Sequence, residues 1–174
     1  MAFGEIKQMS DDKITLDELF PLQEELDKEI ASIHHIDYPS THNRRCLALL
    51  VELGEFANET RCFKYWSNKG PSVKEVILDE YADALHFFLS LGVELGVSRY
   101  THHFNVKIKD CSDAILNVYE LVCKLVKEFD ADSYCKAFAA FLDIIPLFDY
   151  SSLEIIEAYK KKLDTNHKRQ SNNY

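Results

Sequence analysis

Apolar residues recur along the chain at intervals of three and four, and strand-like alternation is hard to find, so the pattern predicts an almost entirely helical protein. A capping-box spacing, Thr15 and Glu18, opens the first helix, which keeps Pro21 in its first turn and runs to about His35. Leu19, Leu22, Leu26, Ile30 and Ile33 face inward from it. Pro39 takes the chain out of that helix, and Thr41 opens a second that runs to about Tyr65. Cys46, Leu49, Leu50, Leu53, Phe56 and Ala57 form its apolar stripe. A second capping-box spacing, Ser72 and Glu75, starts a third helix that closes near Gly92 and Gly96. Between Val76 and Leu91 this helix is apolar nearly all round, the signature of a buried one. Helical spacing continues from Thr101 to Phe129, a further helix spans about Ser133 to Ile145 with Pro146 at its end, and the last starts near Ser151 or Ser152. The expectation is an all-α bundle of about five to seven helices in a single domain over residues 1–174. Residues 1–14 read as a loosely packed lead-in and 159–174 as a polar, basic tail.

The second and third helices interrupt their apolar surfaces with carboxylates three residues apart, Glu52 with Glu55 and Glu80 with Asp83. Residues at that spacing share a helix face, so each pair can aim its oxygens at one point. With 29 acidic residues in 174, such spacings also arise by chance, and Glu154 with Glu157 is read as one of these. Two pairs on successive helices, one inside an apolar surface, are harder to dismiss, because a buried charge must be paired or must coordinate a metal. Four converging acids cannot compensate one another. A hard divalent cation that prefers oxygen, Mg²⁺ or Mn²⁺, can. Arg45, two turns before Glu52 on the same face, is expected to neutralise part of the cluster.

Composition narrows the partners. A net charge of −9 argues against a nucleic-acid polymer, whose binders carry a broad basic footprint, but leaves room for a nucleotide bound through metal. The five cysteines are odd in number and lack CxxC pairing, which fits free thiols in a reducing compartment. No signal peptide or long apolar span is read, so a cytoplasmic protein without a membrane partner is expected.

Several polar residues could serve a nucleotide. Gln23 lies on or beside the first helix's apolar stripe, and an amide there suits the edge of a nucleobase as well as an ordinary helix boundary. Trp66, beside Lys64 and Tyr65, could stack on a base or close the end of the bundle. Tyr159, Lys162, Asn166 and Arg169 are spaced three, four and three and fall on one face. That face could grip a polyphosphate or form a frayed basic tail. His34 and His35 point in different directions on a helix and read as a polar helix end.

The stretches from Glu52 to Ser67 and from Asp79 to Phe87 resemble the metal signature of the all-α nucleoside triphosphate pyrophosphatases, the superfamily of the dimeric dUTPases and MazG-like enzymes. Their wording is similar to the dUTPase branch of Gram-positive bacteria and their phages. Tyr159-x-x-Lys162-x-x-x-Asn166-x-x-Arg169-Gln170 resembles that branch's closing motif, and Gln23 with Leu26 its opening one.

The resemblance implies Mg²⁺, with Mn²⁺ as the other candidate, held by Glu52, Glu55, Glu80 and Asp83. Water would then attack a phosphorus of dUTP, releasing dUMP and pyrophosphate, with Glu55 as the carboxylate that orients or deprotonates it. It also implies phosphate contacts from Lys162, Asn166 and Arg169, uracil and deoxyribose recognition by Gln23 and Trp66, further contacts from Asn58 and Lys64, and a homodimer. Two positions depart from the family pattern. Asp27 stands where dimeric relatives often carry asparagine, and Leu163 where an asparagine commonly follows the lysines.

A glutamine amide serves uracil in one orientation and cytosine in the other, so dCTP, or several nucleotides, remains an alternative substrate. A regulatory or interaction protein on the same scaffold is the non-enzymatic alternative, and phage relatives that bind repressors make a protein regulator conceivable. A ferritin-like di-iron bundle would want paired Glu-x-x-His motifs, which the chain lacks.

Overall fold

The computed structural model describes residues 12–172. Within them lie six helices: α1 (Leu19–His34), α2 (Tyr38–Thr60), α3 (Lys74–Glu94), α4 (Cys111–Lys127), α5 (Ala131–Leu142) and α6 (Ser152–Ser171). A short 3₁₀ turn, Ile145–Phe148, leads into α6. The remaining elements are β1 (Lys13–Thr15) and β2 (Thr101–His103), paired antiparallel with Ile14 opposite His102. The expected all-α bundle is therefore the architecture, with one small sheet added.

α3 is the axis. It packs against α2, α1, α6 and α5, while α4 bridges α5 and α2. Tyr81, Leu85, Phe88 and Leu89 of α3 are at most 2% exposed, so burial on several sides explains why its apolar residues leave no polar stripe. Tyr81 stacks on Phe141 with ring centroids 4.2 Å apart, and Phe88 stacks on Phe138 and Phe141. At Gly92 the helix comes close enough to Tyr134 and Phe20 that no side chain fits.

α2 and α3 run antiparallel, because their cross-links pair early residues of one with late residues of the other: Arg45 with Glu94, and Glu59 with Ser72 just ahead of α3. α2 stops at Thr60 because Arg61 adopts a left-handed backbone (φ 56) and sends its guanidinium to Lys69 O and Ser67 Oγ. The helix expected to reach Tyr65 thus ends a turn early.

Other expectations need correction. Thr15 caps nothing, since it belongs to β1, and α1 starts at Leu19 without a side-chain cap. Ser72 likewise caps no helix, because its hydroxyl goes to the Glu59 carboxylate and Val73 precedes α3 uncapped. Pro39 sits in the first turn of α2, behind a capping box made by Asp37 and Ser40. The helix read from Thr101 begins only at Cys111, where Asp110 caps it, and α5 runs from Ala131 to Leu142 with Pro146 inside the 3₁₀ turn. The lead-in is packed where it is described: Ile14 and Leu16 are buried, and Ser152 Oγ donates to Lys13 O. Residues 1–11 lie outside the described residues.

Glu154 is spent locally. It completes the α6 capping box with Ser151 and pairs with Lys74 at 2.6 Å, which fits its reading as a chance acid. All five cysteines are free thiols. No helix among the described residues is long and apolar enough to cross a membrane.

Candidate active site

A cleft of about 830 Å³ opens between α1, α2, α3 and α6. Its walls include Gln23 and Asp27 from α1, Glu52 and Glu55 from α2, Asp83 and His86 from α3, and Asn166 and Arg169 from α6. Six residues expected at the site, from opposite ends of the chain, thus share one cavity of nucleotide size.

Oxygens of Glu52, Glu80 and Asp83 all lie within 4.8 Å of one another. The antiparallel crossing of α2 and α3 sets two turns of acid face to face. Burial, followed by the charges of Asp83, Glu55 and Glu80, pushes the Glu52 carboxyl up to about 7. Glu80 rises for the same reasons, with burial first and Asp83 and Glu55 behind it. Asp83 is also raised, its burial outweighing the help it receives from Lys162. Glu55 is exposed on the same wall and stands outside the tight trio. Three crowded oxygens that resist ionisation together are a donor set for a hard divalent cation, so these residues fit such an ion.

Lys162 reaches this cluster from α6. Its ammonium lies 2.5 Å from Asp83 Oδ2 and 2.7 Å from Asp79 Oδ2, and the residue is 6% exposed. Burial opposes its charge, but the two carboxylate bonds together outweigh burial and raise its pKa. Arg45 plays no part here, contrary to expectation. It bonds Glu94 at 2.6 Å, Tyr38 O, Ser90 O and Ser90 Oγ, fastening α2 to α3 at the far end of the cleft.

The floor of the cleft is a chain of hydrogen bonds around Gln23, which is 3% exposed. Its Oε1 accepts from Tyr159 Oη at 3.1 Å and lies 2.7 Å from His86 Nδ1, while its Nε2 donates to Asp27 Oδ1 at 2.9 Å. Tyr38 Oη donates to Asp27 Oδ2 at 2.9 Å, and the Ser90 hydroxyl adds a bond to the same carboxylate. His86 stacks on Tyr159, and its Nε2 has no hydrogen-bond partner. Burial, opposed by a bond to the Tyr159 backbone and helped by the charges of Lys162 and His167, drives His86 down to about 3, so the ring is neutral.

Asn58, Lys64 and Trp66 are not drawn into the cleft wall. Lys64 bonds Asn58, and Trp66, 65% exposed, lies edge-on to Phe63 and Tyr65. Leu163, the other departure from the family pattern, is buried in the core. Sequence reasoning missed Asp79, Tyr38 and His86 as site partners, and it set Tyr159 on a phosphate-gripping face rather than beside Gln23. Asp79 carried a signal, one turn before Asp83 on the same helix, whereas the partners of Gln23 come from positions 63 and 136 residues away.

None of the curated proteins matches the chain. The family model described as dUTPase matches residues 15–174, which takes in all six helices and every cleft residue named above. That family comprises all-α dimeric hydrolases that act on nucleoside triphosphates and are in general metal-dependent. A match over that much of the chain settles the family: the chain belongs to the dUTPases.

Proposed function

We propose that the cleft hydrolyses dUTP to dUMP and pyrophosphate with a divalent cation, Mg²⁺ or Mn²⁺, held by Glu52, Glu55, Glu80 and Asp83. The observation that carries this reading is the set of Glu52, Glu80 and Asp83 oxygens within 4.8 Å of one another, in a cleft whose other wall offers an amide, Gln23, and a cation, Arg169. When bound, the cation neutralises triphosphate charge and lowers the pKa of water. The chain's own residues supply the rest. Glu55 orients or deprotonates the attacking water. Lys162, Asn166 and Arg169 meet the phosphates from α6, with Lys162 exchanging a carboxylate partner for a phosphate one. Gln23 meets the base at the inner end, and any contact from Asn58, Lys64 and Trp66 must come from outside the cleft wall. A single domain, a homodimer and a cytoplasmic setting complete the proposal, the last supported by five free thiols.

Pyrophosphate release from dUTP, dCTP, dTTP and UTP, measured with Mg²⁺ for the intact protein and for Glu52→Gln, tests it. Metal-dependent turnover of dUTP that Glu52→Gln abolishes is the expected result. Turnover of dCTP at a rate comparable to dUTP would replace the substrate, and turnover of no nucleotide would leave a binding protein on this scaffold.

A further inference from the structure

We propose that Asp79 is a positioning residue: it keeps Lys162 beside the carboxylate cluster when Asp83 gives up the lysine to serve a divalent cation. This inference rests on the reading of Glu52, Glu80 and Asp83 as the cation's donors.

Asp83 belongs to two rows of acids at once. With Glu80, three residues earlier, it faces Glu52 of α2, and the three residues bring oxygens within 4.8 Å of one another. With Asp79, four residues earlier, it faces α6, and the two carboxylates hold the Lys162 ammonium, at 2.5 Å from Asp83 Oδ2 and 2.7 Å from Asp79 Oδ2. Spacings of three and four both keep residues on one side of a helix, but the rows they make diverge. Asp79 and Glu80, adjacent in sequence, leave the helix axis about 100° apart, one toward each neighbouring helix. Asp83 stands where the rows meet.

The two claims on Asp83 conflict. A carboxylate oxygen that serves a divalent cation would meet a second positive charge 2.5 Å away, and like charges at that range repel strongly. Lys162 is only 6% exposed, so its ammonium cannot simply turn to water. It needs a carboxylate that the cation does not use. Asp79 is that residue. It lies outside the trio, and among the described residues Lys162 is its only hydrogen-bond partner. Giving up Asp83 while keeping Asp79 leaves Lys162 two of its three hydrogens for phosphate oxygens.

This division of labour is measurable without catalysis. In the metal-free protein Asp79 shares Lys162 with Asp83, whereas beside a bound cation Asp79 holds it alone. Removing the Asp79 charge therefore costs the cation-bound state more than the free one and weakens cation binding. An acid that merely added negative charge to the region would weaken binding whether or not Lys162 were present.

Mn²⁺ affinities, measured by calorimetric titration without nucleotide for the intact protein, Asp79→Asn, Lys162→Met and the double variant, separate these cases. The expected result is a loss of about fivefold in Asp79→Asn, kept modest because the Asp79 side chain is 47% exposed. The same change made in Lys162→Met should cost about twofold or less. Equal losses in the two backgrounds, or unchanged or tighter binding in Asp79→Asn, would overturn the assignment. A merely structural role would lower the melting temperature of Asp79→Asn without making the loss of Mn²⁺ affinity depend on Lys162. Turnover of no nucleotide, together with a loss that depends on Lys162, would sink the catalytic reading and leave Asp79 in its role. Absence of Mn²⁺ binding in all four proteins would overturn both.

Discussion

The ammonium of Lys162 lies 2.5 Å from Asp83 Oδ2, and a second carboxylate, Asp79, holds it at 2.7 Å. A cation carried by the last helix is thus seated among acids of the third, and it ties α6 to the axis of the bundle.

Replacing Lys162 with methionine should destabilise the metal-free protein by about 1–3 kcal/mol. That figure is less than a fully buried pair would lose, because Asp79 is half exposed. Mn²⁺ should recover much of the loss, and the variant should bind Mn²⁺ more tightly than the intact protein in the absence of nucleotide. Thermal unfolding with and without Mn²⁺ checks both statements. Equal sensitivity of the two proteins to Mn²⁺ would separate Lys162 from the cation site.

Glu52 gives a pH dependence with a definite sign. Its carboxyl sits at about 7 in the folded protein against an ordinary 4.5, so the folded state holds the proton more tightly than the unfolded chain. The associated stability is full below about 4.5 and is lost as pH rises through about 7. In EDTA the melting temperature should fall across that window, and Glu52→Gln should flatten the fall. Divalent cation affinity should run the opposite way, strengthening up to about pH 7 as the proton leaves Glu52. A melting temperature that rises with pH in EDTA would contradict the crowding of acids described here.

Gly92 tests the core. Alanine there would place its Cβ 2.8 Å from Tyr134 Cζ and 2.9 Å from Phe20 Cε1. Tyr134 is fully buried and its hydroxyl bonds Phe88 O, so it has nowhere to retreat. Helix propensity alone would favour alanine by about 1 kcal/mol. Overpacking should win, and Gly92→Ala should lose about 1–3 kcal/mol in denaturant unfolding. A neutral result would mean that α3 and α5 can separate without loss.

Arg45→Lys should be far from conservative. The guanidinium serves Glu94, Tyr38 O and Ser90 together and lies over the Tyr38 ring at 4.6 Å, a set one ammonium cannot match. A loss of about 1–3 kcal/mol in unfolding free energy is expected. Comparison with Glu94→Gln in a double-mutant cycle would show whether the pair itself carries it.

Much of this molecule is legible in its residues, and the illegible parts share a cause. The all-round apolar character of α3 announces a central helix, and acid spacings of three announce the cluster, because both are properties of a single helix. The two capping-box spacings that failed, Thr15 with Glu18 and Ser72 with Glu75, needed a backbone that tertiary contacts directed elsewhere. Thr15 was taken by a strand of three residues, too short to show alternation, and Ser72 by Glu59. Arg45 chose Glu94 over the acids on its own helix for the same kind of reason. The floor of the cleft was the least visible part, since a glutamine shows nothing of the histidine and tyrosine that will hold it.

The bond between Gln23 and Tyr159 spans 136 positions, from the first helix to the last. During synthesis, a chain that has emerged only as far as α5 already owns every carboxylate of the cluster, yet lacks both Lys162 and the hydroxyl that holds the glutamine. Acids can be gathered early; the pocket cannot. The floor of the cleft is therefore the last part of the site that the growing polypeptide can complete.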